Sequence, residues 1–374
     1  MFHTASSAAY DAAASSIEKI YHLISRHQDK VRSPGLLTGH LGTALFYYLY
    51  SLHSRQHQCL SLAKNHFEKA LYIFAGQPGL AETGFNDLSL LANYLSSAGI
   101  TKPGLGKPFP ALDRLLLEKM RTAFQSGHIG GFSCGAMGYG LHFLNRAFIY
   151  PKNYLWVVGE IIQGLRSAAI NGPSACHWCY GRHYTSTLWN GQAAVILFLT
   201  RTAELGLVKK DSVAGMLFKA INYLLSQQKH QVSTDLLSVQ MGDLGTGYAL
   251  LRAGQTFAND SWQNAGLQIL GARAGKTLTL AGADFPLGIL NGAAGAAIVF
   301  EKLHALTANP LFDHAAQRSY RALLSVEISL DTEQTVPYSQ IELSFGTGIS
   351  GIGATMIQML HPQNINLQPL LWLL

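Results

Sequence analysis

One motif returns seven times along these 374 residues, and it limits the possible folds more than any other feature. It is a glycine, two residues, a second small residue, and then an apolar run of helical length. The copies read GHLGTALFYYL from 39, GFNDLSLLANYL from 84, GAMGYGLHFL from 135 and GQAAVILFL from 191. GDLGTGYALL from 242, GAAGAAIVFEKL from 292 and GISGIGATMIQML from 348 complete the set. The copies begin 45 to 56 residues apart, and the second and fourth carry Asp87 and Ala194 in place of the second glycine. Self-similarity at such a period is the signature of a repeat architecture, in which each unit buries its apolar face on its neighbours.

Between the copies lie stretches such as YDAAASSIEKIYHLI, ALDRLLLEKMRTAF and HAAQRSYRALLSV. Their apolar residues recur at i, i+3, i+4 and i+7 with the charges on the other face, the pattern of surface helices. Several open with Asp or Ser, which predicts side-chain N-caps. The glycine-led runs are apolar all round, the pattern of helices enclosed on every side. Each repeat therefore reads as an outer amphipathic helix followed by an inner apolar one. The expected fold class is all-α, an (α/α)7 toroid of seven hairpins with inner and outer helix rings, in one domain spanning 1–374. In such a ring the residues just before each glycine converge on a central cavity, with glycine allowing close approach at the crowded axis.

Only 13% of the residues are charged, about half the usual fraction, which fits extensive helix burial. No apolar stretch reaches the roughly 18 residues that a membrane span needs. The opening MFHTASSAAYDAAASS lacks the basic-then-apolar order of a secretory signal, so a cytoplasmic location is expected. Cys59, Cys134, Cys176 and Cys179 are too few for a disulfide framework in a chain of this length. The net charge of +6 is diffuse, without the basic cluster or aromatic interleaving of a nucleic-acid binder. Phosphate-loop, dinucleotide and nucleophile-elbow motifs are all absent.

Seven glycine-led inner helices, a last copy reading SFGTGISGIGATM and the segment GDLGTGYALLRAG at 242–254 together resemble the lanthionine synthetase C-like family over essentially the whole chain. The resemblance implies a double ring of seven inner and seven outer helices. It also implies an activity on a ribosomally made precursor peptide, with a partner modification enzyme as a further expectation. The family's cyclases hold one zinc ion through two cysteines and a histidine, leaving a position for the substrate thiol. Zinc lowers the pKa of that thiol, and the thiolate then adds to a dehydrated serine or threonine.

This chain departs from the family pattern at each matched position. Where the fifth repeat of the family reads Trp-Cys-Tyr-Gly, this chain has Val239, Gln240, Met241 and Gly242. Where the sixth reads Cys-His-Gly, it has Leu290, Asn291 and Gly292. Asn190 takes the place of the fourth repeat's histidine, and the family's acid falls on Gly131. Gln and Leu supply no thiolate, and Asn is a poor substitute for imidazole at zinc. The expectation is therefore a protein that binds or chaperones a precursor peptide, with no cofactor. Its cavity rim would comprise Cys134, Trp189, Asn190, Gln240, Met241, Asp243, Leu290 and Asn291.

Two other chemistries remain open in the sequence. The segment ACHWCYGRHY carries Cys176, His177, Cys179 and His183, a spacing compatible with a relocated zinc site whose core ligands would be Cys176, Cys179 and His183. That would make the chain an atypical thioether-forming cyclase. Zinc-independent cyclisation, as in some multi-domain relatives, is the other form of that enzyme. Asp235, Asp243 and Asp284 near inner-helix starts could serve a carbohydrate-active helical ring, provided two of them form a close carboxylate pair. Asp near a helix start otherwise serves as a cap or dipole partner.

Overall fold

The computed structural model describes residues 7–76, 87–91, 94–95, 110–132, 135–179, 181, 183–228, 237–239, 242–279, 286–325, 342–371 and 373. Among them the inner helices are α2 (His40–Ser54), α5 (Ala136–Ile149), α7 (Gln192–Glu204), α9 (Asp243–Phe257), α11 (Ala293–Thr307) and α13 (Ile349–Leu360). A helical stretch at 87–91 belongs to the second copy of the motif. The outer helices are α1 (Ser7–His27), α3 (Gln58–Gly76), α4 (Pro110–Gln125), α6 (Pro151–Ala168), α8 (Lys210–Gln228), α10 (Asp260–Thr279) and α12 (Pro310–Leu324). The inner helices are buried through most of their length, as their all-round apolar sequence requires. A two-residue antiparallel pair, β1 (Ile170–Asn171) with β2 (Cys176–His177), interrupts the helices, with Ile170 opposite His177.

The hairpins run in the opposite phase to the expected one. Inner helices pack on the outer helix that follows them, as in α2 with α3, α5 with α6, α7 with α8 and α11 with α12. The links inside these hairpins are short, only Tyr150 between α5 and α6. Short connections make antiparallel neighbours. The long connections run from each outer helix to the next inner one.

The helices gather into two compact units, Met1–Leu91 with Ala274–Leu373, and Ala92–Arg273 with Leu374. In the first unit α13 packs against both α1 and α2. A Cβ at Gly353 would stand 2.6 Å from Phe46 Cε2 and 3.0 Å from Ile20 Cγ2, so the last inner helix lies directly on the first and on α1. Tyr47 hydrogen-bonds Ser25 at 3.1 Å and Tyr50 donates to Glu18, so the aromatic run at 46–50 serves as core.

In the second unit, buried Asp113 of α4 accepts from His142 Nε2 of α5 at 2.7 Å and from Tyr154 of α6. Arg146 Nε lies 3.7 Å from the same carboxylate, so three helices share one satisfied charge. Among the described residues, two outer helices take their side-chain caps from asparagines, where Asp or Ser was expected. Asn259 accepts from Trp262 N–H at 3.1 Å, and Asn309 from Leu311 N–H at 3.0 Å.

Candidate functional site: the loops that start the inner helices

Each of the inner helices α2, α5, α7, α9, α11 and α13 begins at the motif glycine, which has an extended backbone and makes no side-chain cap. The unpaired amides of the first turn are instead taken by the preceding loop, which folds back over the helix end. His40 N–H donates to Ser33 O at 2.8 Å, Gln192 to Thr185 at 2.9 Å, Ala293 to Pro286 at 2.7 Å and Ile349 to Glu342 at 2.9 Å. The same seven-residue register thus recurs in four repeats. A side chain at Gly39 would overlap the carbonyl of Ser33, so the glycine is required by the fold-back. This backbone device holds the residues just before each glycine in a fixed position.

In the second unit, the expected acid and histidine positions touch each other. Gly131 has φ +107°, and a Cβ there would overlap Asn190 Cα and the carbonyl oxygen of Trp189. The loops are further tied by Phe132 N–H donating to Leu188 O at 3.1 Å. Asn190 Oδ1 accepts from Thr185 Oγ1 at 2.9 Å and Thr187 Oγ1 at 3.2 Å, so its acceptor is engaged within its own loop. Trp189 is half-buried beside it. Val239 is buried, while Gln240 and Met241 lie outside the described residues, as do Cys134 and Tyr180.

Asp243, at the first turn of α9, is ion-paired with Arg273 of α10. It fills the dipole-partner role, and Asp235 and Asp284 lie outside the described residues.

In the first unit, Leu290 and Asn291 stand where the family's Cys-His pair is expected. Leu290 N–H donates to Gly346 O at 2.9 Å, and its side chain lies over Gly346. Both residues are half-buried, and neither offers a thiolate or an imidazole. Beside the starts of α2 and α13 is a cavity of about 560 Å³, lined in part by Lys30, Arg32, Ser33, Thr38, Glu342 and Ser344. Ser33 and Thr38 hydroxyls lie 3.0 Å apart, and Ser344 donates to Glu342 at 2.8 Å. Glu342 also takes the Thr347 hydroxyl, so its carboxylate is engaged within its own loop.

Two residues that were not among the candidate site residues also matter here, Asp87 and His66. Asp87, at the degenerate second position of copy two, accepts from Leu36 N–H at 2.8 Å. Burial pushes its carboxyl up to about 6 against the two amide bonds that hold the charge. His40 Nδ1 lies 2.9 Å from His66 Nδ1, both rings buried. Burial, and then the facing His40, push His66 down to about 4. The unexpected Asp in copy two was the one available sequence signal for the first contact. His66 lies mid-helix with no signal at all.

The segment 176–183 does not gather its three candidate ligands. Cys176 is buried, its Sγ directed to Met216 O at 3.7 Å, and burial pushes its thiol up to about 11. Trp178 between the cysteines is buried and donates to Leu165 O at 2.8 Å. Cys179 is half-buried and His183 exposed. His177 stacks on Tyr223 with ring centroids 4.1 Å apart. Among the described residues no group of three or more His, Cys, Asp or Glu side chains is placed to hold a metal ion. Burial outweighs the charge of Lys219 at Cys176, which disfavours the thiolate that zinc requires. Leu290 and Asn291 likewise supply neither a thiolate nor an imidazole.

Among the described residues no helix is long and apolar enough to cross a membrane. No curated protein matches this sequence. Among solved structures, one similar chain is "Nisin cyclase", with a TM-score of 0.69 and 15% identity, covering 96% of this chain and 97% of that one. At that identity the likeness establishes the all-α fold of alternating inner and outer helices. The family model described as "Lanthionine synthetase C-like protein" matches residues 30–372. The chain belongs to the lanthionine synthetase C-like family.

Proposed function

We propose that this protein binds a ribosomally made precursor peptide during lanthipeptide-type modification and presents it to a partner enzyme. On this reading it does not close thioether rings by the family's zinc chemistry. The observation that carries the reading is the pair Leu290 and Asn291, fixed by the Leu290–Gly346 hydrogen bond where the family pattern has Cys-His. Gly131, at the acid position, leaves no room for a carboxyl-bearing side chain. Peptide binding needs neither group. The half-buried amide of Asn291 and, in the same unit, the hydroxyl-rich cavity beside Lys30 and Arg32 supply hydrogen bonds for an extended chain. The free thiols of Cys59, Cys176 and Cys179 suit a reducing cytoplasm, where we place this activity.

The test pairs binding with chemistry. The precursor peptide encoded beside the gene, fluorescein-labelled, is titrated with the purified protein. The same peptide, dehydrated, is incubated with it and its free thiols are counted by maleimide labelling. Saturable binding with an unchanged thiol count is the expected result. Thiol loss without binding defects in a Cys176→Ser/Cys179→Ser variant would instead establish a cyclase that does not use those cysteines. No binding would remove the proposal.

A further inference from the structure

The cationic cluster at the C-terminal ends of α7 and α9, in the second unit, lies away from the glycine-led helix starts. Arg201 and Glu204 close α7, Lys210 opens α8, and Arg252, Gln255 and Thr256 lie in the last turns of α9. Together they line a cavity of about 440 Å³. Glu204 is the single carboxylate among them, and its oxygens are already taken. Oε2 accepts from Arg201 at 2.9 Å, and Oε1 from Arg252 at 2.6 Å and Thr256 Oγ1 at 2.7 Å. Lys210 Nζ donates to Thr256 O at 2.6 Å.

Three cations meet one carboxylate. The two helix ends add partial negative charge of about half a unit each. Part of that is already used, because Leu205 N–H caps α7 and Ala258 N–H caps α9. A positive excess of about one to two charges therefore remains in the cavity. The donors are also in excess. Each arginine gives Glu204 a single hydrogen bond, and Arg252 Nε is buried with no hydrogen-bond partner. A guanidinium bound through one nitrogen keeps the rest of its planar fork for a second anion, and phosphate oxygens match that fork. Side chains holding Glu204 cannot swing away from the cavity without breaking its bonds, so the remaining donors are pre-positioned.

We propose that this cavity is an anion site for the phosphoryl group of a small organic phosphate. Arg252 and Arg201 would hold the oxygens, with Lys210 at the rim. A phosphate monoester carries about −1.5 to −2 charges near pH 7, which matches the excess. The cavity is larger than a bare phosphate, so the remainder of the ligand would lie along Gln255 and Thr256. Glu204 acts as a positioning residue that orders both guanidinium groups.

The probes are inorganic phosphate and glycerol 3-phosphate, with acetate at matched ionic strength, titrated calorimetrically into the full chain. Saturable binding of one phosphate per chain is expected, weakened about ten-fold by Arg252→Gln and by Lys210→Gln. Lys210 is exposed, so its variant reports on binding even if Arg252→Gln perturbs packing; circular dichroism checks both. Absence of saturable phosphate binding would overturn the site, as would binding that both variants leave unchanged. Acetate competing as well as phosphate would overturn the phosphoryl assignment.

Discussion

Gly131 lies with its α-carbon against the backbone of Asn190, so the positions of the family's acid and histidine are joined by direct packing in this chain. At φ +107° Gly131 has a conformation that side chains rarely adopt, and a Cβ would overlap Asn190 Cα. Replacing it by Asp, which restores the acid on paper, is expected to destabilise the fold by about 3 kcal/mol or more. Urea unfolding of Gly131→Ala and Gly131→Asp checks this. Near-wild-type stability would show that the two loops separate freely.

Asp87 is a charge held by two backbone amides in a poorly solvated place. Its carboxyl is raised to about 6, so the folded state keeps a proton that the unfolded chain releases above pH 3.8. Stability from this group therefore falls as pH rises from about 4 to 6 and is then flat. Asp87→Asn keeps an acceptor for Leu36 N–H without the charge. It is expected to stabilise the protein by about 1–2 kcal/mol at pH 7.5 and by little at pH 4. Chemical denaturation at both pH values makes the comparison.

His66 has the opposite sign. Its folded pKa of about 4 lies below the ordinary 6.5, so the unfolded chain binds more protons between those values. Its contribution is fully present above pH 6.5 and is lost as pH falls toward 4, by an amount on the order of 3 kcal/mol. His66→Gln should flatten this acid limb. An unaltered slope of stability against pH between 6.5 and 4 would contradict the buried pairing with His40.

Thiol chemistry separates the two cysteines of the 176–183 segment. Cys176 is buried with its thiol pushed up to about 11, whereas Cys179 is half-buried. Maleimide at pH 7.5 is expected to modify Cys179 at least about ten-fold faster than Cys176. Peptide mass mapping over a time course reads the ratio, and equal rates would indicate that the loop opens in solution. Zinc added beforehand should leave both rates unchanged.

Ala308 caps α11 in the left-handed conformation at φ +52°, and its N–H donates to His304 O at 2.8 Å. Left-handed backbone is costly for a residue with a Cβ. Ala308→Gly is expected to raise stability by about 0.5–1 kcal/mol, after the entropy cost of glycine in the unfolded chain. A lowered melting temperature would contradict the cap.

The apolar runs that form the inner helices, and the glycines that start them, are legible in the sequence because burial on all sides and a folded-back loop each demand a residue type at a fixed spacing. Gly39, Gly135, Gly191, Gly242, Gly292 and Gly348 are the N-caps of their helices. The phase of the hairpins was less legible. Period alone does not tell whether an outer helix pairs forward or backward, and the short links decided for the inner helix and the outer one after it. The absence of thiolate and imidazole at Leu290 and Asn291 could likewise be read directly, because a ligand is a matter of residue type.

Whether side chains meet was decided only by the tertiary structure. The letters of the 176–183 segment suggest a ligand set, yet the packing of β2 on α8 buries Cys176 while His183 remains exposed. His40 with His66, Asp87 with the Leu36 amide, and Glu204 between two arginines join residues separated by 26, 51 and 3 to 48 positions. The sequence by itself determined which segments must be buried, because hydrophobic periodicity is a local property. The structure decided which polar groups share a dry space, because desolvation and hydrogen bonding depend on neighbours brought together by packing.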